Sequence, residues 1–309
     1  MKKKLNRREV MKTMAMVAGA ASVGLPEAFG MSPSKMKIGY TCITWGTFPL
    51  KPGTHDHTLN LALKDISAGG FWNFETFMDD IVDWDARGKL ASLISENGVP
   101  LLSAYTPVDV LNLANRKSEV ERLKKQCPIV QKYHGSYIVL QVNHINPATY
   151  NFKEHRADII SGLDLYAKVI TDMGLQCGLH QHTQTAVWHR DQVYSVMDAV
   201  NTKYCKFAPD VGQLQKGGAD AAQVVKDFLP IVTHMHLKDW KGWEYYQGYC
   251  PLGQGKVDIP AILKMMEGRG LETGIMVELD PTPKGPYTPR QAEMINKAYL
   301  VKKGFRFRS

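Results

Sequence analysis

No stretch of this 309-residue sequence stays apolar for the roughly 20 residues that a membrane-spanning helix needs, so a lasting membrane anchor is not expected. Cysteine is sparse. Cys42, Cys127, Cys177, Cys205 and Cys250 are scattered, with no close metal-type pair and no regular framework, and their odd number leaves at least one thiol unpaired. The fold must therefore rest on its core and not on disulfides, with most of these thiols inside it. No segment rich in proline, serine or glycine divides the chain, which excludes a flexible linker between two domains. Positive charge is also scarcer than the formal +8 implies. Lys2, Lys3, Lys4, Arg7, Arg8 and Lys12 outnumber Glu9 and Glu27 by four at the N-terminus, leaving about +4 for the remainder. That is a weak basis for nucleic-acid binding, and no basic cradle for a phosphate group is evident.

The N-terminus itself reads MKKKLNRREVMKTMAMVAGAASVGLPEAFG: a basic head, a mildly apolar stretch, then small residues near Ala28 and Gly30. This is the layout of a removable signal peptide, expected over residues 1–31. Within it RREVMK resembles the twin-arginine export signal, with Asn6 where Ser or Thr is commoner. Export of an already folded protein to the periplasm, or beyond the cytoplasm by the same route, is the expectation. That route suits an enzyme that loads a metal before it leaves.

From about residue 35 to 309, short apolar strands alternate with helical periodicity. Strands are expected over 36–45, 71–77, 99–105, 136–142, 175–182, 204–210, 231–239 and 273–280, each followed by a helix. Eight such units give the count of a single-domain α/β fold, the (β/α)₈ TIM barrel. A doubly wound sheet is the alternative, but TCITWGTFPLKPG follows the first strand where a dinucleotide-binding fold carries its glycine-rich turn. The irregular segment 240–258 is long for a connection between strand and helix, and on a barrel's catalytic face it suits a substrate lid.

Barrel active sites are built at the C-terminal ends of the strands. Polar residues gather there: Glu75, Asn143, His144, His180, His182, Asp210, His234, His236, Lys238, Asp239, Glu278 and Asp280. In THMHLKDW, strand alternation puts His234 and His236 on one face. Imidazoles and carboxylates converging from strands five to eight suit a divalent transition ion with an open position for substrate. Each residue has a plainer reading as well. His234 alone better suits a packed histidine that orients a ligand; Asp210 could cap the turn in PDVGQ; Glu278 could pair with a buried Arg or Lys; Glu75 is equally a pocket wall or a structural ion pair. His55, His57 and His134 read as loop or helix residues, with His55 within reach of the pocket mouth. Trp45, Trp72, Trp240 and Trp243 suit sugar-stacking walls and core positions equally.

The succession KIGYTCITW, FWNFETF, GLHQH, PDVGQ, HMHLKDW, PLGQGKVDIPAIL and IMVELD resembles the xylose isomerase-like barrel superfamily, a group of sugar isomerases and epimerases that includes inosose dehydratases and, more distantly, endonuclease IV. The resemblance covers essentially everything from Lys35 on. It implies a metal held by His180, Asp210, His236 and Glu278. Two departures stand out: His180 replaces the family's strand-five carboxylate, and Gln213 stands where many members have His. The lost carboxylate weakens a two-base epimerase mechanism, and the lack of further histidines argues against endonuclease chemistry.

The expected activity is that of a metal-dependent sugar isomerase or epimerase, abstracting a proton next to a carbonyl of a free sugar or polyol. The alternatives are a lyase or dehydratase acting on a keto-sugar, inosose or 3-keto-glycoside, and an exported sugar-binding protein without turnover. Glu278 is the first candidate base or ligand, with Lys238 and His182 beside it; a partly desolvated lysine near a cation can have a lowered pKa. Glu75, Trp45, His234 and Trp240 are the expected substrate walls. One divalent ion, Mn, Zn, Mg or Co, is the expected cofactor, and a small carbohydrate the expected partner. A homo-oligomer is left open.

Overall fold

The computed structural model describes residues 34–309 apart from positions 52, 272 and 283. The expected signal peptide lies outside the described residues. Ten strands follow in chain order: β1 (Ile38–Thr41), β2 (Phe74–Phe77), β3 (Leu101–Val108), β4 (Tyr137–Val142), β5 (Gln176–His180), β6 (Cys205–Phe207), β7 (Met235–Leu237), β8 (Asp239–Trp240), β9 (Tyr249–Cys250) and β10 (Ile275–Val277). Eight of them form one sheet in the order β6-β5-β4-β3-β2-β1-β10-β7. Every pairing is parallel. Isolated parallel bridges, Phe207 to Val232 and Asp210 to His236, join the two edges and close the ring. The chain is a TIM barrel of one domain.

Strands β1, β2, β4, β7 and β10 are buried along their whole length, as strands of a parallel sheet covered by helices must be. The helices pack their apolar faces outside the ring. The first, Leu59–Gly69, buries Leu59, Ala62, Leu63 and Ile66, residues at helical spacing. Several helices begin on a side-chain cap: Asn151, Asp220, Asp258 and Thr288 each accept a hydrogen bond from a first-turn N–H. Among the described residues no helix is long and apolar enough to cross a membrane. All five cysteines are buried and unpaired.

The structure departs from the sequence reading in local extent. The first strand stops at Thr41, where the chain turns into a short 3₁₀ segment, Cys42–Trp45, that ends on Gly46 in the left-handed region at φ 87°. Helices Met78–Ala86 and Val211–Lys216 follow β2 and Asp210 directly. Neither was expected: both are short, and the strand-to-helix switch occurs without an intervening turn signal. The segment 240–258 is an ordered hairpin of β8 and β9, with Tyr246 and Gln247 in the left-handed region at its tip.

Candidate metal and substrate site

His236, on β7, stands at the centre of the site. Its Nε2 lies 2.6 Å from Glu75 Oε1 and its Nδ1 lies 2.9 Å from Glu278 Oε2. Glu75 reaches across from β2 and also binds His234 Nε2, at 2.8 Å, and Ser103 Oγ, at 2.5 Å. All of these groups are buried. Burial opposes the charged form of Glu75, but the two imidazoles outweigh it and hold the carboxyl well below the usual range. Burial likewise opposes the charged form of His236; Glu278 and Glu75 overcome it and hold the pKa well above the ordinary value. Glu75 is thus the group that orients the His236 ring, with Nε2–H donating to it and Nδ1 directed at Glu278.

The donor set fits a divalent metal. Nδ1 of His180 is buried without a partner, Oδ2 of Asp210 and Nδ1 of His236 are buried and meet Lys238 at 3.0 Å and Glu278 at 2.9 Å, and one donor atom from each of these three residues falls within a 4.8 Å cluster. A buried polar atom without a partner is costly, and a cation here would satisfy His180 Nδ1 while being held by the neighbouring carboxylates. Glu278 Oε2 completes the set beside His236. Burial, with the neighbouring His236, holds His180 well below its ordinary pKa, so the ring is neutral, as a ligand must be. Asp210 accepts from Gln213 N through Oδ1 at 2.9 Å. It therefore does cap the turn, and this leaves Oδ2 directed inward. The other cluster with metal-type spacing, Glu75, His234 and His236, is closed by its own hydrogen bonds.

Lys238 differs most from expectation. Its ammonium is fully buried, 3.0 Å from Asp210 Oδ2, 2.5 Å from Glu278 Oε1 and 2.7 Å from Asp280 Oδ2. The ring of Tyr249 lies 4.5 Å away. Gly212 makes room for the lysine stem, since a Cβ there would meet Lys238 Cγ at 2.7 Å. Burial opposes the charge, but Asp210, Asp280 and Glu278 outweigh it and hold the pKa well above that of a free lysine. Lys238 is a fixed counter-ion, and the reading of it as a base of lowered pKa is corrected. Glu278 changes role with it. Both of its oxygens are engaged, and although burial raises its pKa, His236 and Lys238 hold it well below the usual range. It is a poor base, and its place beside His236 suits a ligand. At Asp210 burial wins over the pull of Lys238 and pushes the pKa up to about 6.

A cavity of about 350 Å³ opens over this cluster. Glu278, Asp280, His144, His180 and His182 line it, with Tyr105, Gln141 and Thr183. Phe48, Lys216 and Gln247 border it as well, Gln247 coming from the hairpin expected to act as a lid. Lys216 donates to Gln247 O at 3.0 Å. His182 is held in one tautomer: Nδ1–H donates to Thr183 O at 2.8 Å, so Nε2 accepts from Gln213 Nε2 at 2.7 Å. Burial, then Lys238, pushes its pKa down to about 4, and with its lone pair engaged it is no base. Gln213 is fixed in turn by Thr183, whose N–H and hydroxyl both donate to its Oε1.

The expected aromatic walls are elsewhere. Trp45 donates to Asp65 Oδ2 at 2.7 Å and packs edge-on against Tyr40. Trp240 packs with the hairpin's own aromatic residues, Trp72 donates to Arg306 O and Trp243 to Tyr249 O. None of the four lines the cavity; Phe48, Phe77 and Tyr105 do. His234 is likewise no substrate wall, being bound to Glu75 and stacked on Tyr137. Glu75 lines the cavity, but its oxygens are already committed. Asn143 accepts from Val110 N and Leu111 N, and exposed His55 pairs with Asp83. Tyr105 and Gln141, bonded to each other through the phenol, were missed. A glutamine inside the apolar run YIVLQV is the signal that could have found the second.

The chain belongs to the xylose isomerase-like TIM barrel family, whose model matches residues 63–298. Among characterised relatives, inosose dehydratase of Clostridium botulinum (strain Alaska E43 / Type E3) is 21% identical over 274 residues, covering 81% of this chain and 91% of that protein. Inosose dehydratase of Clostridium perfringens (strain 13 / Type A) is 24% identical over 146 residues, 42% of this chain, and there the match spans only 49% of the relative. Among solved structures, the probable 3-DHS dehydratase AsbF of Bacillus anthracis superposes with a TM-score of 0.69 at 13% identity, covering 86% of this chain and 99% of that one. The IOLI protein with a bound zinc atom gives 0.66 at 18%, covering 86% and 97%. At these identities the superpositions speak for the fold.

Proposed function

We propose that this chain is a divalent-metal-dependent enzyme that removes a carbon-bound proton next to the carbonyl of an uncharged sugar or cyclic polyol, and that it works as a carbon–oxygen lyase. The observation that carries this reading is the asymmetry of the cavity. Glu278 and Asp280 both follow β10, whereas β5 and the residues just after it offer the neutral imidazoles His180 and His182. Epimerisation by two opposed carboxylates has no second carboxylate there. Elimination of a hydroxyl or other oxygen substituent needs a single base: the base takes the proton, the electron pair of the broken C–H bond forms the carbon–carbon double bond, and the β carbon–oxygen bond breaks with its pair on the departing oxygen, which takes up the proton that the base now carries. The dehydratase names of the relatives support the same reading, and the zinc atom of the IOLI neighbour supports a metal.

His180, Asp210, His236 and Glu278 would hold the metal, which supplies charge stabilisation for the enediolate-like state. Asp280 is the base in this reading. Lys238 takes its Oδ2, so the carboxylate is held in place on the cavity wall with its second oxygen available to substrate. Gln141, Thr183 and Tyr105 supply the hydrogen bonds that orient hydroxyl groups. The lone-base arrangement also permits a proton to move between adjacent carbons, so isomerisation, the first expectation from the sequence, is the second reading. The basic head and RREVMK support action outside the cytoplasm.

Incubating metal-loaded protein with ketoses, inososes and 3-keto-glycosides in deuterated water tests this. Deuterium incorporation with loss of water or alcohol supports the lyase, whereas incorporation with a skeleton-conserving product supports the isomerase. Asp280→Asn should keep its metal and lose roughly a hundred- to ten-thousandfold in exchange rate. Exchange at the parent rate in the metal-replete variant would place the base elsewhere.

A further inference from the structure

A second cavity of about 390 Å³ adjoins the first. Phe77, Tyr105, Pro107 and His144 line both, so the two lie side by side with these side chains as the partition. We propose that the second compartment is a subsite for a second, uncharged polyhydroxylated unit joined to the reacting ring, so that the substrate is a disaccharide or similar glycoside and not a lone sugar. This rests on the reading of the first cavity as a sugar site and specifies the substrate class.

Three observations carry it. Size comes first: each compartment alone sits near the lower end of the roughly 300–1,000 Å³ of small-molecule sites, and the pair suits a molecule of two linked parts. Second, the partition is an aromatic platform. Phe77 and Tyr105 meet edge to face with centroids 5.1 Å apart, and such ring faces pack against the C–H face of a sugar. Third, the charges exclude an anion. Arg122 is the cation of this compartment, and its guanidinium is already bonded to Thr106 Oγ1, Pro107 O, Gln126 and Glu119. Asp109 is filled by the N–H groups of Leu111 and Asn112 and the amides of Asn115 and Asn143. Asp79, half-buried as the second residue of helix Met78–Ala86, makes no hydrogen bond or ion pair among the described residues and lines the compartment. A committed guanidinium beside an uncommitted carboxylate repels phosphate and carboxylate groups and accepts from hydroxyls.

Calorimetric titration of the metal-loaded chain with glucose, maltose, cellobiose and phenyl glucoside tests the subsite without requiring turnover. At least one disaccharide should bind tenfold or more tightly than glucose. Asp79→Trp, which fills the compartment from its rim, should bring that disaccharide to the affinity of glucose, and Asp79→Ala should weaken it severalfold more than it weakens glucose; thermal melting of both variants checks that they are folded. Disaccharides binding no tighter than glucose, or a folded Asp79→Trp that lowers both affinities by the same factor, would overturn the subsite and leave the first cavity's reading standing. Tightest binding of phenyl glucoside would overturn the polyhydroxylated assignment. Absence of binding by all four would overturn the subsite and the sugar reading together, whereas sugar binding without proton exchange would overturn only the reaction.

Discussion

Replacing Lys238 by methionine keeps the length of the stem and removes the charge from among three carboxylates. Taking one partner from a buried ion pair costs about 3–5 kcal/mol, because the other charge stays behind without compensation. Here Asp210, Glu278 and Asp280 all lose an ammonium that lies within 3.0 Å. They need not all remain charged: Asp210, already pushed up to about 6 by burial, will take up a proton once the lysine is gone. That relief places the expected loss near the lower end, about 3 kcal/mol. At about 2.1 cal/mol/K per residue the unfolding entropy of a chain of this length is about 0.6 kcal/mol/K, so the unfolding temperature should fall by roughly 5 °C. Scanning calorimetry at pH 7.5 in the presence of a chelator measures it. The sign with pH also follows. A carboxyl with a raised folded-state pKa contributes stability at low pH and loses it as pH rises through that pKa, so the deficit of Lys238→Met should be larger at pH 8 than at pH 5. Adding a divalent cation should restore more stability to the variant than to the parent. A drop under about 2 °C, or a deficit that grows toward acid pH, would refute the reading of Lys238 as the site's fixed counter-ion.

His236→Ala should lose most bound metal by elemental analysis, whereas His234→Ala, whose hydrogen bond goes to the orienting Glu75, should weaken metal binding by about ten- to a hundredfold; full occupancy in His236→Ala would move the metal elsewhere. Asp80, buried on helix Met78–Ala86 with its pKa pushed up to about 8 by burial, stabilises the fold at acid pH and ceases to do so as pH rises through 8. Asp80→Asn should remove a one-proton slope, at most about 1.4 kcal/mol per pH unit, from unfolding free energies measured between pH 4 and 8, and identical slopes in the two proteins would contradict this. Changing Arg7 and Arg8 together to lysine should leave precursor in the cytoplasm on fractionation, and unimpaired export would remove the twin-arginine assignment.

The barrel was legible because its eight units repeat two plain periodicities, and because the polar residues at strand ends interrupt otherwise apolar runs. His180, Asp210, His236 and Glu278 stand out for that reason. Helices Met78–Ala86 and Val211–Lys216 did not, being too short for periodicity to distinguish from loop. The state of Lys238 was hidden because its counter-ions arrive from two other parts of the chain, Asp210 from one and Glu278 and Asp280 from another, and a side chain's charge state depends on neighbours that spacing does not reveal. The tryptophans misled because their size suits a core as well as a sugar wall. Asp210 and Glu278 also fulfil their plainer readings, one capping a helix and the other pairing with a buried lysine, so the ligand role proposed for each would share a carboxylate with a structural duty.

Asp239 gathers the N–H groups of Trp240, Gly253, Gly255 and Val257 on its two oxygens, and a Cβ at Gly255 would meet its Oδ1 at 2.1 Å. The base of the β8–β9 hairpin is thereby clamped to the residue immediately after Lys238, independently of what the tip contains. Tyr246 is itself buried and bonded to Tyr287, so the exchangeable part of the tip is residues 241–245 with Gln247, on a fixed mount: swaps there can reshape the rim while the charges beneath keep their register, whereas Gly255 tolerates no side chain. Libraries that aim to change what this barrel accepts should vary the tip and leave the mount intact.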